Sequence, residues 1–244
     1  MRQEEEGIRI NRFLSEAGVC SRREADRAVE AGEVCIGERT ARLGERVRQG
    51  AVVYFRGRRV EQEEERILIA FNKPPGIVCT TSRKEGKNIV DYIGYPRRIY
   101  PVGRLDRNST GLILLTNDGD IVNRIMRAGN RHEKEYVVTI NREVTEDFLM
   151  QMSNGVPILD TVTRPCSVWK SKEREFHIVL TQGLNRQIRR MCEVLGCKVK
   201  TLRRVRIMNI YLGDLKEGEY RDVTQKEWEQ LEQMIRYSSN ETVR

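Results

Sequence analysis

Apolar residues first recur at helical spacing at Ile10, Phe13, Leu14 and Ala17, which predicts a short amphipathic helix that Gly18 ends. Ser21-Arg22-Arg23-Glu24 reads as a capping box. It opens a second helix with Ala25, Ala28 and Val29 inside and Gly32 as its stop. Strand-like pieces follow at Val34–Ile36 and Val52–Phe55. Beyond residue 66 the pattern changes. Ile67–Phe71 and Leu112–Thr116 are apolar strands, the second closed by Asn117-Asp118-Gly119. Ile121, Val122, Ile125 and Met126 mark a short helix. Tyr136, Val138 and Ile140 alternate with polar positions, as do Phe176, Ile178 and Leu180, so both segments read as half-buried strands. Residues 185–195 read as a helix with Ile188, Met191, Cys192 and Leu195 as its buried stripe. Thr224-Gln225-Lys226-Glu227 caps a last helix. The prediction is an α+β chain: a small helix–helix–strand domain over residues 7–62, then a domain over 67–240. The second is built on a mixed, largely antiparallel sheet flanked by helices.

Charge sharpens this division. The chain has 244 residues, with Lys+Arg 44 against Asp+Glu 36, a net +8. Residues 7–60 hold 12 arginines, no lysine and 7 acids, a net of +5. Acidic runs at Glu4–Glu6 and at Glu61 with Glu63–Glu65 flank them, and the second reads as a flexible linker. Arg9 and Arg12 fall on one face of the first helix, and Arg22, Arg23 and Arg27 cluster at the start of the second. So many cations on so small a module suit phosphate binding. No apolar run approaches ~20 residues and no signal-peptide core is seen, so a soluble, cytosolic chain without membrane contact is expected. Six cysteines without a C-x-x-C pair, and His132 and His177 far apart, predict buried thiols and no metal site. No G-x-G-x-x-G or P-loop pattern occurs, so no cofactor is expected.

The string I-R-I-N-R-F-L-S-E-A-G-V-C-S-R-R-E-A-D-R-A-V-E-A-G-E-V resembles the S4 RNA-binding domain. The resemblance implies that the two basic helices grip RNA backbone. Where such domains usually carry Asn-Gly after the first strand, Gly37-Glu38 stands, which alters the turn chemistry.

Asp106 lies in Gly103-Arg104-Leu105-Asp106-Arg107-Asn108-Ser109-Thr110-Gly111, between two arginines that favour its carboxylate form. G-R-L-D-x-x-(S/T)-x-G-L resembles the catalytic motif of pseudouridine synthases, which detach a uracil from its ribose and rejoin it through carbon. The resemblance makes Asp106 the nucleophile, at C1′ or at C6 of the ring, without a cofactor. Lys134-Glu135-Tyr136 resembles the family's second motif, whose tyrosine stacks on the flipped base and assists proton transfer. Gly183-Leu184-Asn185-Arg186-Gln187-Ile188-Arg189 resembles the third, which makes Arg189 the partner of Asp106 in a buried pair. Arg104 matches the arginine that fills the space a flipped base leaves. Asn72-Lys73-Pro74-Pro75-Gly76 resembles a further string that supports the site.

Residues 185–206 hold eight cations and one acid, Glu193. Arg107, Arg186 and Arg190, with Lys73, Lys198, Lys200, Arg203 and Arg204, are therefore expected at the RNA, with binding that weakens as salt rises. The order of the motifs resembles the RsuA/RluB/RluE/RluF group of pseudouridine synthases. R-A-G-N-R-H-E-K-E-Y-V-V-T and G-V-P-I-L-D-T-V-T resemble its RluF-type branch. That implies isomerisation of a uridine in 23S rRNA by a monomer. The same motifs would serve tRNA or 16S rRNA. A non-catalytic RNA-binding or ribosome-assembly factor is the remaining alternative, and intact Asp106, Tyr136 and Arg189 argue against it.

Overall fold

A computed structural model describes residues 7–61, 65–82 and 86–238, and the chain divides into two units after Arg66. The acidic positions Glu4–Glu6, Glu63 and Glu64, and the last residues of the predicted second domain, lie outside the described residues.

In the first unit a short strand β1 (Ile8–Arg9) leads into α1 (Ile10–Glu16), and α2 (Arg22–Glu30) follows. Ile10, Phe13 and Leu14 of α1 and Ala25, Ala28 and Val29 of α2 share one core with Val34 and Val53. The Ser21 hydroxyl accepts the Glu24 N–H at 3.2 Å and caps α2, which is one half of the capping box that the sequence predicts. Strands β2 (Val34–Ile36), β3 (Arg39–Thr40), β5 (Val53–Phe55) and β6 (Arg58–Val60) make a sheet in the order β3-β2-β5-β6, while β4 (Arg46–Val47) pairs with β1. Gly37 sits at φ 61° in the two-residue β2–β3 turn, ahead of Glu38. A glycine in the first central position is the chemistry of a type II′ turn, so Gly37-Glu38 still closes the hairpin. Arg9 lies outside α1 as its N-cap residue, so it does not share a helix face with Arg12.

The second unit is built on a nine-stranded sheet. Its main path uses β7 (Leu68–Lys73), β9 (Thr110–Thr116), β10 (Lys134–Ile140), β13 (Ser167–Lys172), β14 (Glu175–Leu180), β15 (Val199–Ile207) and β17 (Tyr220–Asp222). The order is β13-β14-β10-β15-β9-β7-β17. Short strands β8 (Tyr100–Val102) and β16 (Ile210–Tyr211) pair with β9 and β15. β15 runs parallel to β9 and the other pairings are antiparallel, so the sheet is mixed. A small hairpin, β11 (Pro157–Ile158) with β12 (Thr161–Val162), stands apart from it.

Alternation along β9 divides the core. Leu112 and Leu114 meet α4 (Gly119–Met126) and α7 (Gln225–Ile235) on one face, while Ile113 and Leu115 pack with Ile89 of α3 (Ile89–Ile93) on the other. A further core gathers α5 (Glu146–Asn154) and α6 (Gln187–Val194) over Val138, Phe176 and Ile178. Tyr136 packs against both this core and that of Ile113. α7 opens with the predicted capping box, both halves formed. No helix among the described residues is long and apolar enough to cross a membrane.

Three features differ from the sequence reading. The helix predicted from 185 begins at Gln187, because Arg186 takes a left-handed conformation, φ 50° and ψ 35°, that cannot continue a right-handed helix. The basic stretch after α6 is strand β15, and its register against β10 holds a bulge. Arg206 pairs with Glu135 and Arg204 with Tyr136, so Val205 is the extra residue. Of the six cysteines, Cys35 and Cys166 are only half-buried.

Candidate active site

A cleft of about 630 Å³ opens where the β8–β9 loop faces the turn before α6. It gathers Arg104, Asp106, Arg107, Tyr136, Arg186 and Arg189.

The loop that carries Asp106 is anchored from below. Lys73, at the end of β7, is fully buried. Its ammonium donates to the carbonyls of Pro74 (2.9 Å), Arg107 (3.0 Å) and Ser109 (2.8 Å). Gly76 N–H donates to the Arg107 carbonyl at 2.8 Å, and the Ser109 N–H to that of Asp106 at 3.0 Å. Burial pushes the Lys73 pKa down, and the nearby Cys79 thiol and Asp106 oppose that shift. Lys73 is therefore a brace under the loop. The expectation that it contacts RNA is corrected: three carbonyls take its donors and no part of it reaches the surface.

Asp106 is half-buried. Its Oδ2 lies 3.6 Å from Arg189 Nε and 3.8 Å from Arg186 Nη1. Both separations exceed hydrogen-bond length, so the carboxylate is flanked by two cations and bonded to neither. Arg189 is fixed instead by Ser109, donating from Nη2 to Oγ at 3.3 Å. Arg189 stands next to Asp106, but the expected buried pair is not formed: the Asp106 side chain keeps 35% of its exposure and Arg186 stands beside it. The left-handed Arg186 backbone is the kind of local strain that gathers at functional sites.

Tyr136 projects from β10 with its ring half-buried. Arg204 stands opposite it on β15, its guanidinium carbon 6.0 Å from the ring centroid. Arg204 is 1% exposed, and Nε donates to the Leu112 carbonyl at 2.6 Å. The expectation of a surface cation is corrected here as well: strand alternation turns Arg204 inward, to the cleft. Its neighbour Arg203 is exposed, as are Lys198 and Lys200. Arg190 does not line the cleft and donates to the Asn185 carbonyl and side-chain oxygen. In the first unit Arg9, Arg22, Arg23 and Arg27 are exposed, while Arg12 is partly engaged by Glu16 at 2.6 Å.

Sequence reasoning passed over Lys134, Ser109 and Gln182, all of which line the cleft. Lys134 shares the face of Tyr136 two residues away, a signal that strand periodicity carries. Gln182 had no signal beyond its place before a motif. No group of three or more histidine, cysteine, aspartate or glutamate residues among the described residues is arranged to hold a metal ion.

Residues 67–194 match the RNA pseudouridylate synthase family model, and residues 8–53 match that of the S4 domain. The chain belongs to the RNA pseudouridylate synthase family. As a pseudouridine synthase it is an isomerase that converts uridine in RNA to pseudouridine, and its S4 domain is an RNA-binding module. It is 52% identical over 236 residues to the "Dual-specificity RNA pseudouridine synthase RluF" of Escherichia coli K12, covering 96% of this chain and 81% of that one. It is 30% identical to the "Ribosomal large subunit pseudouridine synthase B" of Bacillus subtilis, covering 95% and 98% of the two. A crystal structure of a pseudouridylate synthase superposes with a TM-score of 0.68 at 31% identity, covering 92% of this chain and 99% of that one.

Proposed function

We propose that this synthase isomerises a uridine in large-subunit 23S rRNA, with Asp106 as nucleophile. The observation that carries the role of Asp106 is its carboxylate, held in an open cleft within 4 Å of two arginines yet bonded to neither. A carboxylate oxygen that neither arginine bonds is free to attack. Tyr136 offers a ring on which an extruded uracil can stack. Arg189, fixed by Ser109, keeps the carboxylate oriented. Arg104 is exposed at the cleft, where it can occupy the space that the base vacates, offsetting an unstacking cost of a few kcal/mol. Arg107 and Arg186 at the cleft, and Arg190, Lys198, Lys200 and Arg203 beyond it, are the cations for the surrounding phosphates. Arg9, Arg12, Arg22, Arg23 and Arg27 are those of the S4 domain. We propose a monomer as the working unit, since Asp106, Tyr136 and Arg189 can meet at one cleft without a second copy.

Large-subunit rRNA is supported by the words "ribosomal large subunit" in the name of the Bacillus subtilis relative. A second RNA target, with tRNA the first to test, is supported by the words "dual-specificity" in the name of the Escherichia coli relative. The test is tritium release from 5-tritiated uridine in separate 23S, 16S and tRNA transcripts. Release from 23S, abolished by Asp106→Asn, is the expected result. Additional release from tRNA would establish the second specificity. Release from 16S or tRNA without 23S would overturn the proposed substrate.

A further inference from the structure

Lys134 is 6% exposed and Arg204 1%, and both line the Asp106 cleft. They stand on either side of Tyr136: Lys134 two residues before it on β10, Arg204 across from it on β15. Charged groups so deeply buried are normally paired. Among the described residues neither of these is: the Lys134 ammonium donates to the His132 carbonyl, at 3.3 Å, and to no other described group. Arg204 Nη2 is buried without a hydrogen-bond partner, and so is Nε2 of Gln182 in the same cleft.

The glutamates beside Lys134 in sequence do not neutralise it. Glu135 is held by His177 Nδ1 at 2.8 Å and Arg206 Nε at 3.0 Å, and Glu133 by Arg206 Nη2 at 3.0 Å. The bulge at Val205 separates the two sets, turning Arg206 toward Glu135 and leaving Arg204 with Tyr136. Burial, with the Arg204 charge adding to it, pushes the Lys134 pKa down to about 8. The cleft thus holds more donors than acceptors around one aromatic ring.

Such a cluster calls for a ligand rich in acceptors. Phosphates keep to the hydrated RNA backbone, whereas a base extruded from its stack enters a pocket whole. Uracil presents two carbonyl oxygens and, when the C1′–N1 bond breaks, keeps the electron pair. The resulting negative charge spreads onto those oxygens. We propose that Lys134 and Arg204 donate hydrogen bonds to the carbonyl oxygens of the flipped uracil and stabilise the anion formed on glycosidic cleavage. This rests on the reading of the Asp106 cleft as the uridine site. Both residues keep their protons. With Asp106 attacking C1′, its carboxylate takes the bond that N1 gives up; C5 of the turned base then displaces the carboxylate from C1′, C5 loses its hydrogen as a proton and N1 gains one, so Asp106 is freed and the product is an isomer of the substrate. Donors aimed at charge that develops only in the reaction favour the transition state over the bound substrate.

The test is single-turnover tritium release from a 5-tritiated 23S transcript at saturating enzyme, with RNA affinity and melting temperature measured in parallel. Lys134→Met should slow release by about 10²–10³-fold, the loss seen when one oxyanion donor is removed. RNA affinity should stay within about twofold, and the melting temperature should rise, because an unpaired buried charge is gone. A residue that merely holds the fold would lower it. Arg204→Lys, which keeps the charge but not the fork, should slow release at unchanged affinity.

The pH profile adds an independent readout. The other charged groups near Lys134 are Arg204, the adjacent Glu133 and Glu135 held by Arg206, His132 two residues back, and Arg104, Asp106, Arg107, Arg186 and Arg189 around the cleft. Burial lowers the His132 pKa below its usual value, and Lys134 lowers it further, so His132 is neutral across the alkaline range. The wild-type rate should fall above pH ~8 as the ammonium is lost, and Lys134→Arg should abolish that fall. Unchanged release in Lys134→Met would overturn the proposal, as would a loss accompanied by a lower melting temperature. If Asp106→Asn abolishes release while Lys134→Met does not alter it, the uridine site stands and only this assignment fails. No release by wild type from any transcript removes both.

Discussion

Arg189 faces Asp106 at 3.6 Å while donating its hydrogen bond to Ser109. The guanidinium is therefore positioned by the Asp106 loop itself, and it meets the carboxylate through charge rather than through a bond. Removing it should weaken the orientation of the proposed nucleophile without removing that carboxylate. Arg189→Ala is expected to cost ~10–100-fold in single-turnover rate, about 1.4–2.7 kcal/mol. Asp106→Asn is expected to abolish turnover with RNA affinity retained. Ser109→Ala should fall between wild type and Arg189→Ala. The measurement is tritium release with binding followed in parallel. Equal rates for Arg189→Ala and wild type would show that Arg186 alone suffices.

Lys73 donates to three buried or half-buried carbonyls, two of them in the Asp106 loop. Lys73→Met keeps the length of the side chain but takes the Lys73 donor from the Pro74 and Ser109 carbonyls, while the Arg107 carbonyl keeps the Gly76 N–H. Each buried group left unsatisfied costs about 1–3 kcal/mol. The variant should lose at least ~2 kcal/mol of stability in denaturant unfolding and lose activity with it. Retained stability alongside lost activity would instead assign Lys73 to the chemistry.

These two sites differ in how far sequence could reach them. Alternation at Tyr136, Val138 and Ile140 is a direct image of one buried sheet face, so that strand was legible. The short-range Ser21 and Thr224 caps were legible too, because their chemistry lies within four residues. Lys73 was not, since its partners at Arg107 and Ser109 lie 34 and 36 positions away. In V-K-T-L-R-R-V-R-I the run of cations hid a strand, and the bulge at Val205 broke the period that would have sorted Arg204 from Arg206. Helix 187–194 was recognised by its apolar stripe, but its start depends on the left-handed backbone of Arg186, which composition does not encode.

The exposed arginines of the first unit make a separable prediction. Arg22, Arg23 and Arg27 lie on one short helix whose opposite side is core. Changing all three to alanine leaves Ala25, Ala28 and Val29 in place, so folding should be preserved. Each phosphate contact contributes a slope of roughly −0.7 in log affinity against log salt for single strands. The triple variant should therefore show a slope shallower by up to ~2 units and weaker RNA binding. Tritium release at saturating enzyme should be nearly unchanged. An unaltered salt dependence would remove these arginines from the RNA interface.

Lys134 links the cleft to the stability of the whole unit. Its pKa is about 8 in the folded protein against an ordinary value of 10.5. Below pH 8 both folded and unfolded chains carry the proton, and folding must bury the charge. Between pH 8 and about 10.5 the unfolded chain holds a proton that the folded chain has released, so this group makes stability rise with pH. The difference corresponds to roughly 3 kcal/mol as an upper bound. Denaturant midpoints of wild type and Lys134→Met, measured at pH 7 and pH 10, isolate the effect because Lys73 and the other lysines titrate in both. The variant should be the more stable at pH 7, and its advantage should shrink at pH 10. A constant difference across that range would mean that Lys134 is not held as an unpaired buried cation. A fold that carries such a cost at neutral pH gains from it only when an acceptor fills the cleft.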